Sequence, residues 1–226
     1  MIELSPRLHM VAALVPQCDT VADVGTDHGY LAAWLLQNDV SRNVFATDIH
    51  EGPLACARKT ANDLDLSARM EFHLCDGLQF PGACAAQAVV MAGMVGETMV
   101  SILEAAPWAW RNVALILQPQ SKQPLLYAWL REHDIPITEA KLCVDAGKRY
   151  LAFRAGGDRK TEETVESLLF CAHDPLFPEY LASEIQRITH ALSGMEAASR
   201  NLDIEKQQLN KQLAYFKHYQ KAVEAW

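Results

Sequence analysis

Short apolar runs alternate with helical periodicities along most of the chain. Several runs end at an Asp, and their continuous apolar character is typical of strands buried on both faces. They predict strands at 21–24, 43–48, 70–76, 87–92, 112–118, 137–144 and 149–154. Apolar residues at helical spacing predict helices at 4–14, 30–36, 52–63, 97–106 and 123–133. Five strands that alternate with helices, followed by a hairpin, predict an α/β domain with a mostly parallel sheet and a C-terminal antiparallel strand.

The pattern changes after about Gly156. Residues 156–160 resemble a linker, and residues 174–178 form a second, proline-rich break. Two apolar series at steps of three and four follow, at Leu181, Ile185, Ile188, Leu192 and Met195, and at Leu202, Leu209, Leu213, Phe216 and Val223. These series predict an antiparallel helical hairpin, or coiled coil, with a bend near 193–199. We therefore predict two domains, at 1–157 and 158–226.

The segment VADVGTDHGYL, residues 21–31, combines a strand, a turn with two glycines and the start of a helix. This arrangement is the nucleotide-binding corner of a Rossmann-like unit. Its glycine spacing, at Gly25 and Gly29, differs from the Gly-x-Gly-x-x-Gly that binds a pyrophosphate, and Asp27 within the turn would repel phosphate. A cationic ligand without phosphate, such as S-adenosylmethionine, suits this turn better. An ordinary turn in which Asp27 only caps the helix is the alternative.

Acidic residues follow three successive predicted strands, at Asp23, Asp48 and Asp76. Ligands of open α/β sheets bind at the carboxyl ends of the strands. Asp48 is placed to accept hydrogen bonds from ribose hydroxyls, and Asp76 from an adenine amino group. Gly93 and Gly96, after the fourth strand, would let the backbone approach the other side of the ligand. Each residue alone also fits ordinary turn chemistry, and a NAD-dependent dehydrogenase is disfavoured because the diphosphate loop is missing.

Composition and charge restrict the remaining classes. Half of the residues are hydrophobic and the formal net charge is −8, which predicts a globular protein and disfavours a general nucleic-acid coat. We expect no membrane span and no signal peptide. The six cysteines form no C-x-x-C pair and indicate a reducing, cytoplasmic location. The histidines show no ligand cluster, so no metal site is predicted.

Several short motifs together resemble one known family. They are Arg7-Leu8, DVGTDHGYL (23–31), Glu51-Gly-Pro53, Asp76-Gly-Leu78, MAGM (91–94), Leu117-Gln-Pro119, Trp129-Leu130, and Asp145-Ala-Gly-Lys148 with Tyr150. Through these motifs the chain resembles the bacterial tRNA (adenine-22-N1)-methyltransferases over nearly its whole length. The resemblance implies a Rossmann-like class I methyltransferase domain with a C-terminal coiled-coil arm, S-adenosyl-L-methionine as cofactor and tRNA as partner.

The resemblance also implies site residues. Asp27 would act beside the target adenine, accepting a hydrogen bond from its amino group, with His28 and Gln118 as further catalytic candidates. The predicted cofactor-binding residues are Asp23, Gly25, Thr26, Gly29, Tyr30, Asp48, Ile49, Asp76, Gly77, Ala92, Gly93 and Met94. Three features depart from the family pattern: Ala32 replaces a usual Pro, Val95 replaces a usual Gly, and the Gln-Ser-Lys that follows Pro119 lacks the Asn often found there. If position 95 requires a positive φ, Val is unfavourable there.

The C-terminal arm is the predicted RNA platform. Residues 186–226 contain six Lys and Arg against four Asp and Glu, although the whole chain is acidic. The predicted RNA-binding residues are Arg7, Arg187, Arg200, Lys206, Lys211 and Lys217. A dimerisation seam, or simply solvated helix faces, would produce the same pattern. A cofactor sensor without transferase activity and a methyltransferase of another substrate also stay open, and a monomer or weak dimer is expected.

Overall fold

The computed structural model describes residues 2–157, 163–196 and 202–226. The chain divides into two compact units, Met1–Val165 and Glu166–Trp226. The prediction that residues 1–157 bind the cofactor and residues 158–226 bind RNA stays a prediction.

The first unit is built on one seven-stranded sheet. Its strands are β1 Cys18–Val24, β2 Ser41–Asp48, β3 Met70–Leu74, β4 Ala88–Val95, β5 Ala114–Ser121, β6 Ile137–Asp145 and β7 Lys148–Ala155. Its helices are α1 Pro6–Ala12, α2 Tyr30–Gln37, α3 Glu51–Asp63, α4 Gly96–Ala105 and α5 Gln123–Glu132. The strand order is β3-β2-β1-β4-β5-β7-β6, parallel except where β7 pairs antiparallel with β5 and β6. The predicted Rossmann-like fold is confirmed.

The centre of the sheet is fully enclosed. Val21, Val44 and Val90 have no exposed surface, and neither do Ala22, Ala46, Val89 and Met91 in the same strands. Both faces are covered because each parallel crossover places a helix against the sheet, which explains why these strands have continuous apolar sequences. Strand β1, next to the point where the strand order reverses, places its carboxyl end beside those of β2 and β4. That edge is where a ligand is expected.

Several element boundaries differ from the sequence-based prediction, and three of the differences have a clear physical reason or bear on the site. Helix α1 begins only at Pro6, because Ser5 caps it by accepting the N–H of Leu8. Strand β5 does not stop before Pro119 but continues to Ser121, and Pro119 lies opposite Met94 in an irregular part of the ladder where a missing N–H is tolerated. Strand β3 ends at Leu74, so Asp76 lies in the following turn.

The hairpin between β6 and β7 forms at the predicted place. Ala146 and Gly147 have φ values of 48° and 74°, the left-handed conformation that two-residue hairpin turns with primed geometry require. The turn therefore fixes the register in which Asp145 pairs with Lys148.

The second unit contains the helices α6 Val165–Cys171, α7 Phe177–Glu196 and α8 Asp203–Val223. Helix α6 lies between the two predicted breaks, where the sequence analysis predicted no element. On α7, the ring of Phe177 contacts that of Tyr219 on α8. Tyr180, about one turn further along α7, contacts Phe216, which lies about one turn earlier on α8. Partner positions thus run in opposite directions, so α7 and α8 form an antiparallel pair. Its coiled-coil character stays a prediction.

Candidate functional site

The loop between β1 and α2 is tied to the end of β2. The backbone N–H groups of Gly25 and Thr26 both donate to the carbonyl of Thr47, at 2.8 and 3.0 Å. Gly25 and Gly29 have φ values of 71° and 69°, in the left-handed region that favours glycine. The two glycines therefore allow the chain to turn at the sheet edge and enter α2, as the sequence predicts.

Asp23 is the buried carboxylate of this edge. It is 4 % exposed, and its Oδ2 accepts a 2.8 Å hydrogen bond from the Thr26 hydroxyl. Burial raises the pKa of Asp23 to about 6; the Thr26 hydrogen bond opposes this rise and the nearby Asp48 carboxylate adds to it. Within the described residues no cationic side chain pairs with Asp23. A positively charged ligand at this edge would stabilise the ionised form.

The ends of β2 and β3 form the second part of the site. The side chain of Asp48 accepts the N–H of His50 at 2.9 Å, and its backbone carbonyl accepts the N–H of Cys75 at 3.0 Å. The Thr47 hydroxyl donates to the carbonyl of Gly77 at 2.9 Å, which holds the Asp76-Gly77 turn against β2. The structure therefore brings the turn after β3 close to the end of β2.

Several apolar side chains at this edge are open to solvent, among them Ile49 and Tyr30. Ile49 is 60 % exposed and Tyr30 is 47 % exposed. Exposed apolar groups beside carboxylates suit a ligand that has both an apolar ring system and hydrogen-bonding groups. An adenosyl group has this composition.

Asp27 and His28 form the exposed rim of the loop. Asp27 has a φ of 53°, unusual for a residue other than glycine, and its side chain is 76 % exposed. Its Oδ1 lies 3.6 Å from Nε2 of His28, whose ring stacks on Tyr30. The Thr60 hydroxyl donates to the His28 carbonyl at 2.8 Å. The Asp27 carboxylate is thus presented on a loop whose backbone is held from α3.

The end of β4 lies against the same loop. A Cβ at Gly25 would be 2.5 Å from Cε of Met94, so Met94 covers the glycine turn. Gly93 has a φ of 83°, and the pairing with β5 is irregular between Ala92 and Met94. Val95 has φ −72° and ψ 139°, ordinary extended backbone that a branched residue adopts readily. The departure from glycine at position 95 therefore causes no backbone strain.

Gln118, on β5, has a partner that sequence reasoning did not find. Its Oε1 accepts a 2.9 Å hydrogen bond from Nη1 of Arg7, a residue 111 positions away on α1. The Arg7 guanidinium lies 5.8 Å from the ring centroid of Tyr150, and its backbone N–H donates to Asp145. Residues from three of the family motifs therefore meet here. Arg7, predicted to bind RNA, is engaged inside the first unit.

The remaining predicted RNA-binding residues lie in the second unit. Arg187, on α7, forms an ion pair with Glu184, while Lys211 and Lys217 on α8 are exposed and Lys206 is half-buried. Arg200 lies outside the described residues. These four cations stay predictions.

Two clefts of about 560 and 660 Å³ lie at the opposite edge, around the amino ends of the strands. They contain no predicted site residue. Within the described residues no three His, Cys, Asp or Glu side chains are arranged to hold a metal, and no helix there is both long and apolar enough to cross a bilayer.

Comparisons with known proteins agree with this arrangement. A family model described as a methyltransferase domain matches residues 4–153. The tRNA (adenine(22)-N(1))-methyltransferase of Bacillus subtilis is 30 % identical over 160 residues, which cover 70 % of this chain and 67 % of that protein.

Solved structures extend the likeness to the whole chain. The m1A22 tRNA methyltransferase of B. subtilis superposes with a TM-score of 0.83 at 25 % identity. The superposition covers 97 % of this chain and 100 % of that protein's chain. The proposed tRNA (m1A22) methyltransferase Sp1610 of Streptococcus pneumoniae, in complex with S-adenosyl-L-methionine, gives 0.80 at 26 % identity over 96 % of this chain and 100 % of its own. This chain belongs to the methyltransferase domain family and, within it, to the tRNA (adenine-22-N1)-methyltransferases.

Proposed function

We propose that this protein is an S-adenosyl-L-methionine-dependent tRNA methyltransferase that modifies N1 of an adenine, at position 22 as the name of its B. subtilis relative states. The observation that carries the proposal is the convergence of the Asp23 and Asp48 carboxylates with the exposed Asp27 loop at one sheet edge. The buried carboxylate and the apolar surface beside it suit a cationic nucleoside cofactor. The exposed carboxylate of Asp27 suits a second substrate next to that cofactor.

The cofactor would be held by the carboxyl ends of β1, β2 and β4. Asp23 would attract its cationic part, Asp48 would accept hydrogen bonds from its ribose hydroxyls, and Asp76 would accept from its adenine amino group. The exposed side chain of Ile49 would pack on its adenine ring. When bound, the cofactor supplies a methyl group, whose bond to sulfur breaks as its bond to the adenine N1 forms, with the electron pair remaining on sulfur.

Asp27 would act on the incoming base. The N1 lone pair of adenine is free at neutral pH. The attack therefore depends on how the base is positioned and on electrostatic stabilisation of the developing charge, more than on removal of a proton. The ring gains a positive charge as the bond to carbon forms. The Asp27 carboxylate would accept a hydrogen bond from the adenine amino group and balance that charge. The base must leave the RNA stack to reach this loop.

The second unit would bind the body of the RNA. Lys206, Lys211 and Lys217 lie on one long helix, where they would contact phosphates of the RNA. This role accounts for a basic arm on an acidic protein. We also propose that the protein acts in the cytoplasm, where tRNA is available to it.

The cofactor-sensor alternative has lost its support. It rested on Val95, whose extended backbone is compatible with an active site. The Asp27-His28 pair, with its two side chains presented to solvent, favours the enzyme.

The proposed function is tested with the purified protein, labelled S-adenosyl-L-methionine and total bacterial tRNA, followed by nucleoside analysis. The proposal expects label in 1-methyladenosine. Label in another nucleoside would assign a different substrate atom, and bound cofactor without any transfer would restore the sensor.

A further inference from the structure

The side chain of Gln118 is buried, but only one of its two polar atoms has a hydrogen-bond partner in the described residues. It is 1 % exposed, and its Oε1 accepts from Arg7. Its Nε2 donates no hydrogen bond to any described residue and is not fully enclosed, so it keeps a small contact with solvent. An enclosed amide with one open donor is rare in folded proteins, because an unmade hydrogen bond destabilises the fold.

Arg7 determines which end of the amide is open. A guanidinium has donors and no acceptor, so the group that faces Arg7 must be the Gln118 oxygen. Arg7 is itself held by Tyr150 and by its backbone bond to Asp145. The amide of Gln118 therefore cannot rotate by 180° without placing its NH₂ against the cation.

The open donor lies at the edge where the site forms. Gln118 is opposite Ala92 in the pairing of β5 with β4, next to the irregular Gly93. Nη1 of Arg7 would lie 3.4 Å from a Cβ at Gly93. The Arg7–Gln118 pair thus lies beside the strand end that carries Met94, which covers the Asp27 loop.

We propose that Gln118 is a specificity-determining residue that reads the Hoogsteen edge of the target adenine, and that Arg7 is the positioning residue that fixes its orientation. Nε2 of Gln118 donates to N7 of the base, and the second lone pair of Oε1 accepts one hydrogen of the N6 amino group, the bidentate pairing by which Gln recognises adenine. Guanine offers an O6 acceptor in place of that amino group. The inference rests on the proposed function.

This mode of recognition fits methylation at N1. It occupies the base edge opposite to N1 and leaves the N1 lone pair free. The second hydrogen of the amino group, on the N1 side, remains available to Asp27. The two residues would therefore share one amino group without competing.

The test uses a tRNA with adenosine at position 22, and the same tRNA with 7-deazaadenosine there, in which a C–H replaces N7. We expect kcat/KM of the native protein to fall by about tenfold or more on the deaza substrate. The Gln118→Glu variant keeps an oxygen for Arg7 but has no donor, so it should methylate both substrates at one reduced rate. The assignment would be overturned if the native protein methylated both substrates at equal rates. It would also be overturned if the deaza substrate lowered kcat/KM equally for the native protein and for the Gln118→Glu variant.

Arg7 is tested by the same ratio of kcat/KM values, which a loss of stability alone does not change. Arg7→Met should bring the ratio of adenosine to 7-deazaadenosine towards one, and Arg7→Lys, which keeps a donor, should retain it. An unchanged ratio in Arg7→Met would overturn the positioning role. If the native protein fails to methylate the unmodified tRNA, the proposed function itself is wrong and the inference falls with it.

Discussion

The hydroxyl of Thr26 donates a 2.8 Å hydrogen bond to the buried carboxylate of Asp23, the one hydrogen bond that this side chain receives within the described residues. A single neutral donor does not compensate for the loss of water around an ionised carboxylate. The pKa of Asp23 therefore rises to about 6. The site is built at a cost to stability that a cationic ligand would reduce.

Removing the charge at position 23 should stabilise the ligand-free protein. Between the ordinary pKa of 3.8 and about 6 the folded chain retains a proton that the unfolded chain has lost. As the pH rises through that window, ionisation of Asp23 therefore lowers the free energy of unfolding, by roughly 3 kcal/mol at most. Asp23→Asn should raise the free energy of unfolding at pH 7.5 and change it little at pH 4. Urea denaturation at both pH values measures this, and equal stabilities at pH 7.5 would contradict it.

The same carboxylate should make cofactor binding depend on pH. A cation near Asp23 favours its ionised form, so binding releases a proton and the affinity for S-adenosyl-L-methionine should fall below pH 6. Calorimetric titration between pH 5 and 7.5 should show this fall for the native protein. Asp23→Asn should bind more weakly, without the pH dependence. A native affinity that does not change with pH would place the cation elsewhere.

Asp27 should matter for turnover and little for cofactor binding. Asp27→Ala should reduce kcat by about 100-fold or more, the typical effect of removing one group that stabilises developing charge, while the Kd for the cofactor stays within about twofold. Asp39→Ala is the matched control, because Asp39 is also an exposed aspartate with a positive φ, 52°, but lies away from the site. Near-native kcat in Asp27→Ala would refute the role assigned to Asp27.

Substitutions at positions 95 and 96 should differ in how strongly they harm the protein. Val95→Gly should not raise activity, because Val95 already has an extended backbone, and it should destabilise the protein by about 0.5–1 kcal/mol through chain entropy. Gly96→Ala should be more harmful, because a Cβ there would lie 2.6 Å from the carbonyl oxygen of Lys122. Thermal unfolding and methylation assays compare the two, and a tolerated Gly96→Ala with a harmful Val95→Gly would contradict the structure.

The three lysines of α8 should determine the salt dependence of RNA binding. Changing Lys206, Lys211 and Lys217 together to Gln should lower the slope of log K against log salt by about 2 units. Arg42→Gln is the control, because Arg42 is 82 % exposed but lies at the opposite edge of the sheet. An unchanged slope in the triple variant would favour the dimerisation or solvated-face interpretation of the arm.

Sequence reasoning predicted the sheet because parallel strands buried on both faces leave continuous apolar runs, as at Val89–Met91. It predicted the turn at Gly25 and the hairpin at Gly147 because a positive φ favours glycine. Helix α6 also left a signal, with Val165, Leu168 and Leu169 at helical spacing. That signal was too short to distinguish from a linker.

Contacts between distant segments could not be predicted in this way. The pairing of Arg7 with Gln118 depends on how α1 packs on the sheet, and nothing in either local sequence encodes it. Both residues belong to motifs that carry the family resemblance, but the sequence suggested RNA binding for Arg7 and a catalytic role for Gln118. The contact changes the interpretation of Arg7, which bonds Gln118 within the first unit, and it fixes which end of the buried Gln118 amide stays open.

The most direct test of the account is primer extension on tRNA treated with the protein and S-adenosyl-L-methionine, since a methyl group on N1 of adenine blocks Watson–Crick pairing and stops the polymerase. The account predicts one new stop, at adenine 22, that is absent when the Asp27→Ala variant replaces the native protein. A stop at another base, no stop, or an equal stop with the Asp27→Ala variant would contradict it.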